Sequence, residues 1–244
     1  MQFQKVHLDT VDSTNRWLWQ NGSGMMVVVA DYQTAGRGQG SHSWESAQGQ
    51  NLLFSVMVHP VWLKPSCQFL LSEVWALALR DVLSVNADGI GTFSVKWPND
   101  IYWEDRKISG TLIETRLSAG VLKDVVIGTG INVNQEEFFS DAPNPVSLCQ
   151  ILGKRCPVSL DTLLDQILRK FSEYYCQLEA GDSPTIERHY HQSLYRRDGY
   201  YWYEDANGRF EAEVVGVAPS GVLALRDRQD NVRHYEQREV RFVL

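Results

Sequence analysis

Two stretches of this chain carry residue types suited to binding anions. The first is Thr34-Ala-Gly-Arg-Gly-Gln-Gly-Ser-His-Ser-Trp44. Gly36, Gly38 and Gly40 permit left-handed turns and expose backbone N–H groups to a phosphate or carboxylate. Arg37 adds a planar donor fork matched to an anionic oxygen. The dinucleotide fingerprint is absent, because Ser41 stands five residues after Gly36 and no clear helix opens there. No phosphate-binding P-loop occurs either, since Gly153-Lys154 is followed by Arg155. On these residues alone, an anion-binding loop and a plain surface loop are equally good readings.

The second stretch runs Lys96-Trp-Pro-Asn-Asp-Ile-Tyr-Trp-Glu-Asp-Arg-Lys-Ile-Ser-Gly110. It places two lysines, an amide and a carboxylate at the end of one strand and the start of its hairpin partner. Lys107 falls where the chain re-enters the sheet, so its ammonium can point into a cleft. The plainer alternative makes both lysines solvated charges and Asp100 a turn former. A third feature, Gly128-Thr-Gly-Ile-Asn132, lets a ligand or another backbone come close to a strand and offers a directed amide. Alone, a bulge with an ordinary polar residue is the better reading.

These residues need a scaffold, and the apolar pattern supplies one. Asp12-Ser-Thr-Asn15 before Trp17, Leu18 and Trp19 predicts an N-capped helix. Met25–Ala30, Asn51–Val58, Phe93–Trp97 and Val121–Val133 read as strands, and Ile101–Trp103 pairs with Ile108–Leu117 across a turn. Helices are predicted from Pro65, from Ser159 with apolar positions Leu160 to Leu178 at helical spacing, and from near Pro184. After about Tyr195 come short strands with a hairpin signal at Asn207-Gly208. The expected class is α+β: a mixed, largely antiparallel sheet flanked by helices over residues 1–195, then a small β-barrel over residues 196–244.

Composition narrows the partners. A net charge of −7 over 244 residues disfavours duplex DNA, whose binding is driven by phosphate neutralisation. The longest apolar run is far below the roughly 20 residues a membrane span needs, and the amino terminus has no signal-peptide core. A cytoplasmic chain without membrane or DNA partners is expected. Cys67, Cys149, Cys156 and Cys176 form no Cys-x-x-Cys pair, so buried free thiols are expected instead of zinc ligands or disulfides.

Taken in order, Asp12-Ser-Thr-Asn15, Asp31-Tyr-Gln-Thr-Ala-Gly-Arg-Gly38, Trp44, Asn51-Leu-Leu-Phe-Ser55, Lys96-Trp-Pro-Asn-Asp100, Lys107-Ile-Ser-Gly110 and Gly128-Thr-Gly-Ile-Asn132 resemble the catalytic domain of biotin–protein ligases. The motif match covers roughly Val11–Asn134. It implies a sheet related to class II aminoacyl-tRNA synthetases and an SH3-like carboxy-terminal barrel. The implied reaction converts biotin and ATP, with Mg2+, to biotinyl-5'-AMP, then moves the biotinyl group to a lysine of a biotin carboxyl carrier domain. By the same resemblance Ser13, Thr14, Asn15, Gln33, Arg37, Gly38, Gln39, Trp44, Lys107 and Gly110 surround biotin. Arg37, His42, Trp44, Asn99, Lys107 and Asn132 face the nucleotide, and Lys107, Arg37 and Asp100 carry the chemistry. No metal ligands can be chosen, and a homodimer through the sheet is left open. The family pattern has Gly-Arg-Gly-Arg and then another arginine, whereas this chain has Gln39 and His42. Two fixed charges become an amide and a pH-dependent imidazole. A lipoate ligase is disfavoured by the missing Arg-rich, Gly-Gly-Gly motif. The early position of Asp12-Ser-Thr-Asn15 predicts no helix-turn-helix and no repressor activity, and the retained Lys107 and Asn132 argue against a non-catalytic biotin binder.

Overall fold

The structure, a computed structural model, describes residues 1–38, 40, 43–139 and 144–243. Among them one sheet runs from edge to edge through β1 (Gln4–Val11), β2 (Met26–Gln33), β3 (Leu52–Val58), β7 (Val121–Ile131), β6 (Arg106–Ser118), β5 (Asp100–Trp103) and β4 (Phe93–Lys96). Only β1 and β2 pair in parallel, because α1 (Thr14–Asn21) carries the chain across between them. Every other pair is antiparallel. β1 was not foreseen: its residues are exposed or half-buried on both faces, so no apolar alternation marks it.

The central strands use their alternation to cover two faces. Val27 and Val29 of β2, Phe54 and Val56 of β3, and Val125 and Ile127 of β7 point into the main core. There they meet α2 (Phe69–Asn86), α4 (Leu160–Glu179) and α5 (Ser183–Gln192). Met26, Val28, Met57 and Val126 point the other way, onto Leu18 of α1. At about 1.5–3 kcal/mol per buried large apolar side chain, that smaller cluster holds α1 far less firmly than the main core holds its helices. Ser159 caps α4 by accepting from the Thr162 N–H, as its position before the apolar run predicts.

Local departures from the sequence reading have local causes. Pro65 opens a 3-10 turn, Pro65–Cys67, and the α-helix itself starts at Phe69. Ser13 stands at the N-cap of α1 without a side-chain capping bond. A short helix, α3 (Leu148–Leu152), was not foreseen; Ser147 and Gln150 close it with a reciprocal capping box. The four cysteines are free, but Cys176 is exposed and Cys67 only half-buried.

The last strands, β8 (Tyr201–Asp205), β9 (Gly208–Val217), β10 (Leu223–Asp227), β11 (Val232–Tyr235) and β12 (Arg241–Phe242), form a separate antiparallel sheet in the order β11-β10-β9-β8-β12. The first hairpin turns on Ala206-Asn207, with Gly208 already paired to Asp205 at φ 116°. Asn207-Gly208 marks the turn but not its centre. This sheet shares the main core: Tyr203, Leu223, Leu225 and Phe242 belong to the same buried cluster as Trp97 and Tyr195. Trp97 Nε1 donates to the Gly221 carbonyl at 3.0 Å across the junction.

Candidate active site

The site begins where large side chains stop on the α1 face of the sheet. Along β7 that face reads Val126, Gly128, Gly130; along β6, paired with it, Glu114, Leu112, Gly110. Two-residue alternation thus turns an apolar floor into a trough with a glycine bottom. Side chains fill the space the glycines leave. A Cβ on Gly128 would lie 2.0 Å from Asn15 Oδ1, and one on Gly130 would lie 2.3 Å from Cε2 of Trp44. On Gly110 it would come within 2.8 Å of Trp44 Cζ3 and 3.1 Å of Lys107 Nζ. Bulkier residues at these positions would displace the groups that the sequence reading nominates.

At one end of the trough lies a polar relay. Thr14 donates to Gln33 Oε1 from both its backbone N–H, at 2.8 Å, and its hydroxyl, at 3.1 Å. Ser55 lies 2.7 Å from the Thr14 hydroxyl and 2.6 Å from Asn15 Oδ1. Asn15 in turn donates to Glu114 at 2.9 Å. Ser13, Thr14 and Asn15 are all buried, set there by the first turn of α1. Such a relay fixes which end of each amide donates and which accepts.

The other end holds the charges. Lys107 Nζ donates to Asp100 Oδ2 at 2.6 Å and lies 5.8 Å from the Trp44 ring centroid. A register shift in the β5–β6 pairing explains its aim. Ile101 pairs Ser109 but Tyr102 pairs Lys107, so one extra residue sits in β6. In an unbroken strand, residues 107 and 110 would face opposite sides; the bulge brings Lys107 onto the face of Gly110. The Lys107 backbone also pairs with the segment after the undescribed residues, donating to Asn144 O and accepting from Val146 N–H. Lys96 is not the solvated charge of the plainer alternative. It donates to the Tyr102 hydroxyl at 3.2 Å and lies 5.3 Å from the Phe242 ring. Burial pushes its pKa down, and the Asp100 carboxylate opposes that shift.

Not every nominated residue opens onto the trough. Asn99 is buried and donates to Ser72 of α2 at 3.0 Å. Asn132 is buried and donates to the Val146 carbonyl at 3.1 Å, holding the stretch that leads into α3. Trp44 is anchored through its backbone: its N–H donates to Gly36 O at 3.0 Å, while its buried indole Nε1 has no partner among the described residues. Gly38 lies between the Arg37–Ser43 bridge and Gly40. Gln39 and His42 fall outside the described residues.

Glu114 was missed in the sequence reading. Its carboxylate accepts from Asn15, from the Trp19 indole at 3.3 Å and from Arg37 at 3.3 Å. One anion thus joins the relay to the arginine of the glycine loop. A strand argument could have found it, because Glu114 lies four residues from Gly110 on the same face of β6.

Comparison with known proteins agrees with this geometry. Residues 6–132 match the model of the biotin/lipoate A/B protein ligase family, over half of the chain. The chain belongs to that family, and the resemblance read from its motifs is borne out. It is 29% identical over 232 residues to the bifunctional ligase/repressor BirA of Bacillus spizizenii, covering 92% of this chain and 70% of that protein. It is 27% identical over 215 residues to the biotin–[acetyl-CoA-carboxylase] ligase of Paracoccus denitrificans, covering 84% and 85% respectively. The fold superposes with a TM-score of 0.81 on the Aquifex aeolicus biotin protein ligase in complex with biotin and ATP, at 26% identity and over 98% of this chain and 99% of that one. Among the described residues no helix is long and apolar enough to cross a membrane.

Proposed function

We propose that the chain activates biotin with ATP to biotinyl-5'-AMP and passes the biotinyl group to one lysine of a biotin carboxyl carrier domain. The observation that carries this reading is the glycine trough, with an ordered amide and hydroxyl relay at one end and Lys107 at the other. Biotin has the matching polarity: a ureido head needing donors and acceptors, an apolar body, and a carboxylate. In this reading Ser13, Thr14, Asn15 and Gln33 orient the head, Gly38 and Gly110 let the tail lie close, and Trp44 covers it. A dithiolane offers the relay nothing to bond, which favours biotin over lipoate as the acid.

The carboxylate oxygen attacks the α-phosphorus and pyrophosphate departs. Lys107 and Arg37 stabilise the charge that builds on the phosphoryl oxygens, and exclusion of water protects the mixed anhydride. Asp100 has one oxygen on Lys107 and a side chain still one-quarter exposed, a hard oxygen donor suited to Mg2+. Bound with the ATP phosphates, that ion would add charge neutralisation at the triphosphate. In the second step a neutral lysine amine attacks the anhydride carbonyl and AMP leaves; in this reading Asp100 orients the amine or accepts its proton. Asn99 and Asn132 act by fixing the walls, given the bonds each makes. The residues after about 195 are read as the SH3-like module, the bulge at Ala224/Leu225 letting a small sheet curl. Repression is not part of the proposal, in line with the negative net charge.

Incubation with biotin, MgATP and a purified carrier domain, followed by mass measurement, tests the reading. The expected result is a gain of biotin less water on one lysine; an unmodified carrier and no biotin-dependent ATP–pyrophosphate exchange would overturn it. Calorimetric titration with biotin and with lipoate separates the two acids.

A further inference from the structure

The charged end of the trough does not stop at Lys107. Cross-strand pairing carries it on: Lys107 lies opposite Tyr102 of β5, Tyr102 lies opposite Ser94 of β4, and Asp100 lies opposite Lys96. Residues 100 and 102 alternate onto one face, as do 94 and 96, so Lys107, Asp100, Tyr102 and Lys96 share the face of Gly110. Two ammonium groups therefore reach one carboxylate from the strands on either side of it.

Their attachments differ. Lys107 Nζ holds Asp100 Oδ2 at 2.6 Å, with both side chains about one-quarter exposed. Lys96 is half-buried and has no ion-pair partner among the described residues. Its Nζ donates to a neutral group, the Tyr102 hydroxyl at 3.2 Å, and lies 5.0 and 5.3 Å from the ring centroids of Tyr102 and Phe242. An ammonium carries three donors, so this one has donors to spare. It already feels Asp100, whose charge opposes the effect of burial on it.

The proposed reaction sets up a conflict at Asp100. Lys107 must meet the carboxylate of the acid, and in turning to it gives up a bond of 2.6 Å. A partly buried carboxylate left without its cation is strongly disfavoured. We propose that Lys96 is a positioning residue that takes over Asp100 when Lys107 turns to the substrate, one anion being handed between two lysines. The span is short enough, since directly opposed Cβ atoms lie roughly 4.5–5.5 Å apart and a lysine stem adds four carbons. Resting on the proposed role of Lys107, the handover concerns binding of the acid, before any nucleotide arrives.

Calorimetric titration of the full chain, without nucleotide or divalent metal, tests it. The two ligands are biotin and biotin amide, which lacks the charge that Lys107 would follow. Lys96→Met keeps the length of the side chain and removes its charge. It should weaken biotin binding about tenfold, the effect of one lost charge-assisted contact, and leave binding of the amide unchanged. Lys96→Arg should bind biotin more nearly as the parent does. With Asp100→Asn there is no anion to hand over, so Lys96→Met added to it should bring no further loss. A lysine that attracted the substrate directly would bring the same loss in both backgrounds. Equal weakening of acid and amide, a parental biotin affinity in Lys96→Met, or a loss that persists alongside Asp100→Asn would overturn the handover alone. A parent chain that binds neither ligand would overturn the proposed function as well.

Discussion

The lysine hairpin and the glycine loop place their charges by opposite means. Lys107 is held by sheet register, by a one-residue bulge, and by backbone bonds on both sides, with Asp100 at 2.6 Å. Arg37 stands in a loop whose ends meet at the Arg37–Ser43 bridge, and its side chain finds Glu114 at 3.3 Å while remaining nearly half exposed. Position is built into the first region by its own strands and lent to the second by a distant residue, Glu114. Substitutions in the hairpin should therefore remove rate outright, whereas those around the loop should mostly alter grip.

The largest expected effect lies in the hairpin. Lys107→Ala should lose about 2.7–4 kcal/mol of transition-state stabilisation, roughly a hundred- to thousandfold, by analogy with deleting one preorganised donor. Biotin-dependent ATP–pyrophosphate exchange measures it, and near-parental exchange would refute the assignment. Next comes the floor that the two regions share. Gly130→Ala puts a methyl 2.3 Å from the Trp44 indole, and overpacking of this kind costs about 1–3 kcal/mol. Weaker biotin binding by calorimetry and an altered tryptophan emission spectrum are expected together; a parental biotin affinity would show that the indole does not rest there.

Stability gives a third contrast. Glu73 of α2, next in sequence to the Ser72 that anchors Asn99, is buried with Oε2 unpartnered, and burial, aided by Glu187, raises its pKa from 4.5 to about 8. The folded chain then keeps this proton up to about pH 8 while the unfolded chain releases it near 4.5. Stability should fall as pH rises between those values. Glu73→Gln should remove that slope and stabilise the chain at pH 8 by on the order of 1–3 kcal/mol; thermal melts at pH 5 and pH 8 check it, and an unchanged slope would exclude Glu73 as its source. The smallest effect is assigned to the loop: Glu114→Gln keeps an acceptor for Asn15 and Trp19 but frees Arg37. A half-exposed pair of this length should be worth less than about 1 kcal/mol in a denaturant titration. A larger loss would mean that the loop is anchored as firmly as the hairpin.

Sequence patterns made one kind of structure legible and left another dark. The buried strands and α4 declare themselves because a two- or 3.6-residue period is needed to fill a core. β1 does not, being an edge strand with half-wet faces, and neither does the capping box of α3, which involves only a few residues. Within the site, the family motifs named residues that the fold brings to one trough, such as Asn15, Trp44 and Lys107, but not their aim. The bulge that turns Lys107 toward Gly110 is a register property of two strands and leaves no mark in either alone. Glu114 could be read by alternation from Gly110.

That docking has a consequence for how the molecule can change over time. Trp97, the residue after Lys96, donates to Gly221, and the apolar interior runs without a break into the terminal strands. The tail is therefore no detachable cassette: an exchange of the last fifty or so residues would have to reproduce a matching surface for Trp97 and for the shared core at once. Inheritance of the two parts is linked by geometry.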